Sequence, residues 1–435
     1  MNSRKSLATG LAFYLLSATP AGAAEAMERY IVRRGDTLYG LAERYFVRVG
    51  DYRMVQRLNR VSDPRRLPVG KSLKVPTRLL RTQVIEARVA GYKGQVSVTH
   101  NGRPAPLAVG VVLKEGSIIS TGPNAFLRLN LPDGAHLSVP SQSRVRLGRL
   151  RAIEMTGEVQ RELEVQQGRL ESEVAPLRGP RDSYIVRTPM SVSAVRGTEF
   201  RVAYDPVSGR ASTEVIKGLV AVAGAGEKAA VAASFGAVTT AQGVSDPISL
   251  TPAPSLADPG HVQDEPAVRL QIEGPPAAAG YQVRLAADAG FVEVLSEDEA
   301  SGQALSFEGL ADGVYFIRLA AMGDQGLLGL PATYAFERRL NTLTTSAPTS
   351  SQDGGVRRYK FRWETSGQGA RTYRLQLFRE GAEAPVVDEA GLTAQELTIT
   401  DLPPGVYNWR VMSRTFARGG FAEKWSNLER FEIGL

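Results

Sequence analysis

The chain of 435 residues is long enough for two to four domains. Apolar residues make up 43% of it and charged residues 22%, a composition that argues against global disorder. The formal net charge is +7, but residues 28–78 alone contain thirteen Lys or Arg against five Asp or Glu. The cationic character therefore belongs to one small segment and does not favour nucleic-acid binding by the whole chain.

The chain contains no cysteine, which excludes thiol nucleophiles, disulfides, Cys-ligated zinc and anchoring through an acylated cysteine. Its three histidines, His100, His136 and His261, are far apart in sequence and do not favour a multi-histidine metal site. The sequence therefore predicts neither a metal site nor a cofactor.

Residues 1–24 have the pattern of an export signal. Arg4 and Lys5 precede an apolar stretch from Leu7 to Leu16, and small residues at 21–24 supply a cleavage site. The apolar stretch is too short to span about 30 Å of hydrocarbon, and no later run approaches about 20 apolar residues. We expect an exported protein that is soluble after cleavage.

Residues 28–78 show a strand–helix–helix–strand pattern. The first helix has one apolar face, and the turn before it carries Asp36 and Thr37, whose side chains are suited to capping. A second short helix ends at Asn59, and a strand from Ser72 to Val75 closes the segment. The prediction is a small βααβ module.

Apolar and polar residues alternate with a period of two from about residue 87 to 244, between turns such as Asn101-Gly102 and Asp133-Gly134. This pattern predicts an all-β domain. Residues 245–267 are rich in proline and are predicted to be a linker.

An internal repeat follows. Leu310-Ala-Asp-Gly-Val-Tyr matches Leu402-Pro-Pro-Gly-Val-Tyr, and Tyr281 matches Tyr373, all at a constant shift of 92 residues. The repeat predicts two β-sandwiches, at 268–340 and 357–435, separated by a Thr/Ser/Gly-rich linker at 341–356. The whole chain is thus expected to be multi-domain and mainly β.

The first module resembles the LysM domain, which binds glycans built on N-acetylglucosamine. The resemblance rests on Tyr30-Ile-Val-Arg-Arg-Gly-Asp-Thr-Leu, on Tyr52, Val55 and Asn59 at the family spacing, and on Leu67-x-x-Gly-x-x-Leu-x-Val-Pro. It implies a shallow glycan-binding groove between two loops. By position, the groove residues are Gly35, Asp36, Thr37, Leu38, Asn59, Val61, Ser62, Asp63 and Pro64. Backbone geometry and helix capping are competing roles for Gly35, Asp36, Thr37 and Asn59.

Residues 87–244 resemble the FecR domain, a periplasmic all-β module, most clearly at Val186-Arg-Thr-Pro-Met-Ser-Val-Ser-Ala-Val-Arg-Gly-Thr-Glu-Phe. Signalling members of that family carry a cytosolic anti-sigma segment and a membrane helix before this domain, where this chain has the signal and the LysM-like module. The two repeats resemble fibronectin type III-like domains, with Trp363, Trp409 and Trp425 expected in the sandwich core.

Catalytic signatures are missing. Gly70-Lys71-Ser72 lacks the glycine of a phosphate-binding loop at position 65, and Gly224-Ala-Gly226 lies between two strand-like segments, which favours a hairpin turn. The sequence contains no Gly-x-Ser-x-Gly and no His-Glu-x-x-His. No catalytic residue is predicted.

These features predict a non-enzymatic, periplasmic, wall-associated protein of a Gram-negative bacterium. It would bind peptidoglycan through the LysM-like module and present the other domains as an interaction scaffold for an envelope protein partner. Two alternatives remain: signal relay through the FecR-like domain, and a peptidoglycan hydrolase with an unrecognised site.

Overall fold

The structure is a computed structural model and describes residues 26–177, 179, 181–275, 278–417 and 420–434. It is mainly β, and it divides into two compact units at Leu250/Thr251. The predicted signal, residues 1–24, lies outside the described residues. Within the part of the chain that the structure describes, no helix has the length and apolarity needed to cross a membrane.

The N-terminal module has the predicted βααβ order. Its strands pair antiparallel, with Met27 opposite Pro76 and Ile31 opposite Ser72. Its elements are β1 (Met27–Ile31), α1 (Leu38–Tyr45), α2 (Tyr52–Leu58) and β2 (Ser72–Pro76), with 3-10 turns at Val49–Asp51 and Thr77–Leu79.

Apolar residues recur along α1 with the 3.6-residue period of an α-helix, so they lie on one face of it. Leu38, Leu41 and Ala42 are fully buried on one face of α1, as the sequence predicts. On β2, Leu73 and Val75 are buried whereas Ser72 and Lys74 are exposed. One face of the two-stranded sheet therefore packs on the module's core and the other faces solvent.

In residues 82–249, apart from 178 and 180, the central domain has nineteen strands whose hydrogen bonding forms one closed sheet. Its pairings are antiparallel except that β12 and β13 run parallel. The strands are β3 (Thr82–Val84), β4 (Ala87–Lys93), β5 (Val96–His100), β6 (Arg103–Pro104), β7 (Val112–Leu113), β8 (Ile118–Thr121), β9 (Phe126–Asn130), β10 (His136–Val139), β11 (Arg144–Ile153), β12 (Val159–Glu173), β13 (Ser183–Arg187), β14 (Val192–Val195), β15 (Glu199–Asp205), β16 (Arg210–Lys217), β17 (Leu219–Gly224), β18 (Glu227–Ala232), β19 (Phe235–Thr240), β20 (Gly243–Val244) and β21 (Ile248–Ser249).

The predicted hairpin at Gly224-Ala-Gly226 is confirmed. β17 and β18 pair antiparallel across it, with Gly224 opposite Glu227. Ala225 and Gly226 both have positive φ, +47° and +85°, which is the geometry of a tight hairpin turn.

The N-terminal module and the central domain share one apolar cluster. Ile153 and Met155, at the end of β11 and just after it, are buried together with the module's core residues, among them Leu79 and Leu80. The connecting segment is short, because the 3-10 turn ends at Leu79 and β3 begins at Thr82. Strand β3 then pairs with β11, Thr82 opposite Ile153. The module is thus packed onto the domain rather than tethered by a flexible linker.

The C-terminal unit contains two sandwiches, each made of two sheets. The first has the strand orders β22-β23-β26 and β25-β24-β27-β28, and the second β29-β30-β33 and β32-β31-β34-β35, with β36 also paired to β34. The strands are β22 (Ser255–Leu256), β23 (Val268–Glu273), β24 (Gly280–Ala286), β25 (Val294–Ala300), β26 (Ala304–Phe307), β27 (Gly313–Met322), β28 (Leu328–Arg338), β29 (Thr342–Asp353), β30 (Val356–Ser366), β31 (Ala370–Arg379), β32 (Val387–Leu392), β33 (Glu396–Thr400), β34 (Gly405–Ala417), β35 (Gly420–Trp425) and β36 (Glu429–Ile433), with a 3-10 turn at Asp324–Gly326.

The sequence repeat corresponds to a structural repeat. Leu285 pairs with Ile317 in the first sandwich, and the residues 92 positions later, Leu377 and Trp409, pair in the second. The Tyr315 hydroxyl donates to the carbonyl of Ala311 at 2.9 Å, and that of Tyr407 donates to Pro403 at 2.8 Å. This tyrosine-corner bond, made four residues back in both copies, explains why Gly-Val-Tyr recurs. Trp363 and Trp409 are buried, as expected, whereas Trp425, at the end of β35, is only half-buried.

Both predicted linkers differ from the structure. Residues 341–356 are strand β29 and a hairpin turn, in which Asp353 pairs with Val356 around Gly354-Gly355. The threonines suit a strand and the two glycines, both with positive φ, suit the turn.

The proline-rich segment 245–267 is also not a free linker. Leu250 and Leu256 within it are buried. Strand β21 adds to the central domain and β22 to the first sandwich. Proline lacks the N–H donor and has a fixed φ, but both are tolerated at the edge of a sheet, so a proline-rich segment can still pack there.

The shared apolar cluster yields a first prediction. Replacing the fully buried Ile153 with alanine should lower the free energy of unfolding by about 2–4 kcal/mol through lost burial and a residual cavity. It should also raise amide hydrogen exchange in α1, since the cavity opens beside the module's core. Ile119→Ala, equally buried but inside the central domain, is the control and should leave α1 protection near that of the unaltered chain. Equal loss of protection in both variants would contradict a shared cluster.

A pair of carboxyl groups lies at the same junction. Glu28 of β1 is buried, and the Glu158 side chain is 13% exposed. Burial, and secondly the nearby Glu28 carboxylate, raise the pKa of Glu158 to about 7, although Arg181 at 4.0 Å opposes the shift.

A pKa raised above its unfolded value stabilises the fold below the unfolded pKa and loses that contribution as the pH rises through the folded pKa. Between pH 5 and pH 8 the free energy of unfolding should therefore fall by about 1–2 kcal/mol on account of Glu158. Urea titrations across this range should show the fall in the unaltered chain and in the exposed control Glu43→Gln, and a flat profile in Glu158→Gln. A profile with the same slope in Glu158→Gln would assign the effect to another group.

Candidate glycan-binding site

Two loops of the N-terminal module are joined at the predicted groove. The backbone N–H of Leu38, at the start of α1, donates to the carbonyl of Pro64 at 2.9 Å. This bond connects the turn after β1 to the loop after α2. The sequence-predicted residues at 35–38 and 59–64 therefore lie on two neighbouring loops.

The first loop is built around an internal carboxylate. Asp36 is 8% exposed and accepts hydrogen bonds from the Tyr30 hydroxyl at 2.9 Å and from the backbone N–H of Arg33 at 2.7 Å, and it pairs with Arg44 at 3.1 Å. Burial, and then the hydrogen bond to Asp36, raise the pKa of the Tyr30 phenol. The Asp36 side chain thus fixes the loop, which leaves backbone groups to face a ligand.

The neighbouring residues have local structural roles. The Thr37 hydroxyl caps α1 by accepting from the N–H of Gly40 at 3.0 Å, and the Leu38 side chain is fully buried. Gly35 is exposed with φ of +89°, and no atom lies within 4 Å of where a Cβ would stand. Its requirement for glycine is therefore conformational and not spatial.

The second loop begins at Asn59, whose amide holds α2 to β2. Its Nδ2 donates to the carbonyls of Val55 at 2.8 Å and Lys74 at 2.7 Å, while its Oδ1 accepts from the N–H of Lys74 at 2.7 Å. Beyond it, Val61 is buried, Ser62 and Asp63 are exposed, and Pro64 is half-buried. Asp63 accepts from the backbone N–H of Arg65 at 2.9 Å.

The accessible parts of the groove are thus Gly35 on one side and Ser62, Asp63 and Pro64 on the other. The arrangement suits a ligand that is read by backbone groups and by a shallow apolar surface, as an N-acetylated sugar would be. Among the described residues, no group of three or more His, Asp or Glu is placed to hold a metal ion.

Tyr39 is not among the groove residues predicted from the sequence. This residue is 55% exposed next to the buried Leu38, and its ring lies edge-on to that of Tyr52 at 6.1 Å. The available signal was its position on α1, one residue away from the apolar face.

Comparison with known proteins identifies two domains. Residues 30–76 match the LysM domain family, and residues 117–221 match the FecR protein family. The chain therefore carries a LysM domain and a FecR domain. No curated protein matches the chain significantly.

Solved structures show only distant similarity. A Parabacteroides distasonis protein assigned as an anti-sigma factor is 20% identical, with a TM-score of 0.24, over 28% of this chain and 53% of its own. The chain thus spans about half the length of that structure. A two-domain fibronectin type III segment of chicken tenascin is 16% identical, with a TM-score of 0.24, over 42% of this chain and 100% of its own. Fibronectin(III)-like modules of Clostridium thermocellum CbhA are 11% identical, with a TM-score of 0.20, over 42% of this chain and 94% of theirs. At these scores the assignment of two sandwiches depends on the strand pairing described above.

The matched LysM region includes every predicted groove residue, and the FecR match lies inside the predicted range 87–244. Within the FecR domain, Arg196-Gly-Thr forms a structural turn. Gly197 has φ of +107°, a Cβ there would stand 2.8 Å from Pro176, and Thr198 exchanges backbone bonds with Val174. The Arg196 guanidinium donates to the carbonyl of Gly179 at 2.9 Å.

The geometry at Asn59 gives a prediction that separates structure from ligand contact. Asn59→Ala removes three hydrogen bonds and should lower the free energy of unfolding by about 2–3 kcal/mol. Asn59→Asp should also destabilise, because a carboxylate would face two carbonyl oxygens. Chemical denaturation is the measurement, with the exposed Ser62→Ala as control. Unchanged stability in Asn59→Ala would contradict this structural role and favour a direct role of Asn59 in glycan binding.

Proposed function

We propose that the chain is a non-enzymatic protein of the bacterial cell envelope that binds peptidoglycan through the groove of its LysM domain. The FecR domain and the two sandwiches then present surfaces to another envelope protein. The observation that carries the proposal is the LysM match over residues 30–76, in a module whose two groove loops are joined and whose rim is exposed.

The combination of domains supports the bacterial wall as the ligand. LysM domains generally bind glycans containing N-acetylglucosamine, which peptidoglycan and chitin share. A FecR domain on the same chain favours the bacterial envelope, and with the predicted export signal it supports a periplasmic location. Export and location are part of the proposal.

The FecR domain also supports a second candidate function, the relay of an envelope signal. The specific observation is the shared cluster around Ile153 and Met155, which couples the LysM domain to the FecR domain without a flexible linker. Under this alternative a wall-bound LysM domain would change the presentation of the FecR domain to a receptor, and a receptor would co-purify with the chain.

Sedimentation with purified sacculi tests the binding. Asp63→Arg places a long side chain on the exposed rim of the groove and should lower affinity about tenfold, equivalent to about 1.4 kcal/mol. Glu43→Arg makes the same change of charge, and a change of size smaller by one methylene, at an exposed position of α1 and should leave affinity unchanged. The assay is run in high salt, where screening suppresses general attraction to the wall.

Point variants are preferable to removal of the LysM domain, because deletion would expose Ile153 and Met155. Soluble fragments are measured in the same tubes. Absence of binding at low and high salt would overturn the proposal and favour signal relay, whereas release of glycan fragments would establish a hydrolase.

A further inference from the structure

The surface of the LysM domain is more cationic than the net charge counted from its sequence indicates. Of its five carboxylates, Glu28 and Asp36 are buried, 5% and 8% exposed. All thirteen lysines and arginines of residues 28–78 are at least partly exposed, and eleven of them are arginines. Arginine's planar guanidinium matches a carboxylate or phosphate with two parallel hydrogen bonds, which lysine cannot provide.

Two of these arginines form an unneutralised pair on α2. Arg53 and Arg57 are exposed and stand four residues apart, on one face of the helix. In the described part of the chain, neither guanidinium has a carboxylate within ion-pair distance. Like charges at this spacing destabilise a helix by a few tenths of a kcal/mol. No carboxylate of the fold offsets this repulsion, whereas an anionic ligand bound between the two guanidinium groups would.

The exposed Tyr39 and the half-buried Tyr52, which packs against the module's core, extend the same surface. The guanidinium of Arg53 lies 5.8 Å from the centre of the Tyr52 ring, and the Tyr39 ring meets Tyr52 at 6.1 Å. We call Tyr39, Tyr52, Arg53 and Arg57 the α2 surface. It offers guanidinium groups beside aromatic rings, which suits a ligand that carries carboxylates on a partly apolar frame.

We propose that the α2 surface binds the carboxylates of the peptide stems of peptidoglycan, as a second contact beside the groove for the sugar. This inference depends on the proposed function, since it names a further part of the same ligand. Charge complementarity supports the occupant, because free carboxylates are carried by the stems and not by the N-acetylated sugars that the groove suits.

A lipid surface fits the α2 surface less well. Helices that lie in a membrane interface present a long apolar face opposite their basic one. Helix α2 has seven residues, its apolar Val55 is buried in the core, and Leu58 at its end is 42% exposed. A water-exposed polyanion is the better match.

The opposite face of the domain supplies a matched control. Arg29 and Lys74 are exposed and directly opposite each other on β1 and β2, on the solvent side of the sheet. Replacing either pair with glutamine removes two positive charges from the same domain. Gln is also a good helix former, so Arg53→Gln with Arg57→Gln preserves α2.

The test measures affinity of the full chain for intact sacculi, and for sacculi whose carboxylates are amidated with carbodiimide and ammonia. At low salt, the Arg53→Gln/Arg57→Gln variant should bind intact sacculi about tenfold more weakly, and the Arg29→Gln/Lys74→Gln control less than about twofold. The unaltered chain should lose a similar factor on amidated sacculi, where the α2 variant should lose nothing further. The difference should shrink at about 0.5 M salt.

The outcomes separate this inference from the proposed function. If the α2 variant binds sacculi as tightly as the unaltered chain does, the α2 surface is overturned and the proposed function stands. The same holds if the control pair weakens binding as much as the α2 variant does. Absence of any sacculus binding by the unaltered chain overturns the proposed function. Vesicles containing phosphatidylglycerol are a separate arm: loss of vesicle binding in the α2 variant, with sacculus binding intact, would assign the surface to lipid phosphates instead. Thermal unfolding must show no large loss of stability in the α2 variant, because relief of the like-charge repulsion offsets the lost contact between Arg53 and the Tyr52 ring.

Discussion

The apolar cluster between the LysM domain and the FecR domain is the constraint on which the N-terminal half depends. A module of about fifty residues buries a small core and is marginal alone. Here Ile153 and Met155 of the FecR domain complete that core, and β3 continues from it directly into the closed sheet. The orientation of the two groove loops relative to the FecR domain is therefore fixed by this packing. Under the signal-relay alternative, a displacement at the groove would be passed to the FecR domain through these packed side chains.

Much of the fold was predictable because local rules and tertiary packing agree. The 3.6-residue period of α1 marks its buried face, and the constant repeat of 92 residues marks two copies of one sandwich. The tyrosine corner is a case where a sequence motif has a single cause: Tyr315 and Tyr407 each bond a carbonyl four residues earlier. The linkers were not predictable from composition. Whether Leu250 and Leu256 are buried depends on the sheets that receive them, and a run of threonine and serine suits a strand as well as a linker.

The site was predictable as a location but not as a set of contacts. The LysM pattern predicts that the two loops are neighbours, and the bond from the N–H of Leu38 to the carbonyl of Pro64 joins them; their contact with a glycan stays a prediction. It does not say which side chains face inward. The bond between Asn59 and Lys74 spans fifteen residues, and the burial of Asp36 depends on Tyr30. Likewise, alternation along β11 marks Ile153 as buried without saying that a second domain covers it.

Under the proposed function, the division of roles inside the LysM domain explains how a shallow groove could hold this protein on peptidoglycan. Residues such as Asp36 and Asn59 are committed to the fold, so the groove itself offers mainly backbone groups and a small exposed rim, which limits its affinity. The α2 surface lies on the same rigid module. A second contact there pays no linker entropy, because its position relative to the first is already fixed. Its charges are screened by salt, whereas the groove's hydrogen bonds and apolar contacts are affected much less. Under the proposed function, retention on the wall should then have two components that respond differently to ionic strength. One is the contact of the groove with the sugar, and the other is the contact of the α2 surface with the peptide.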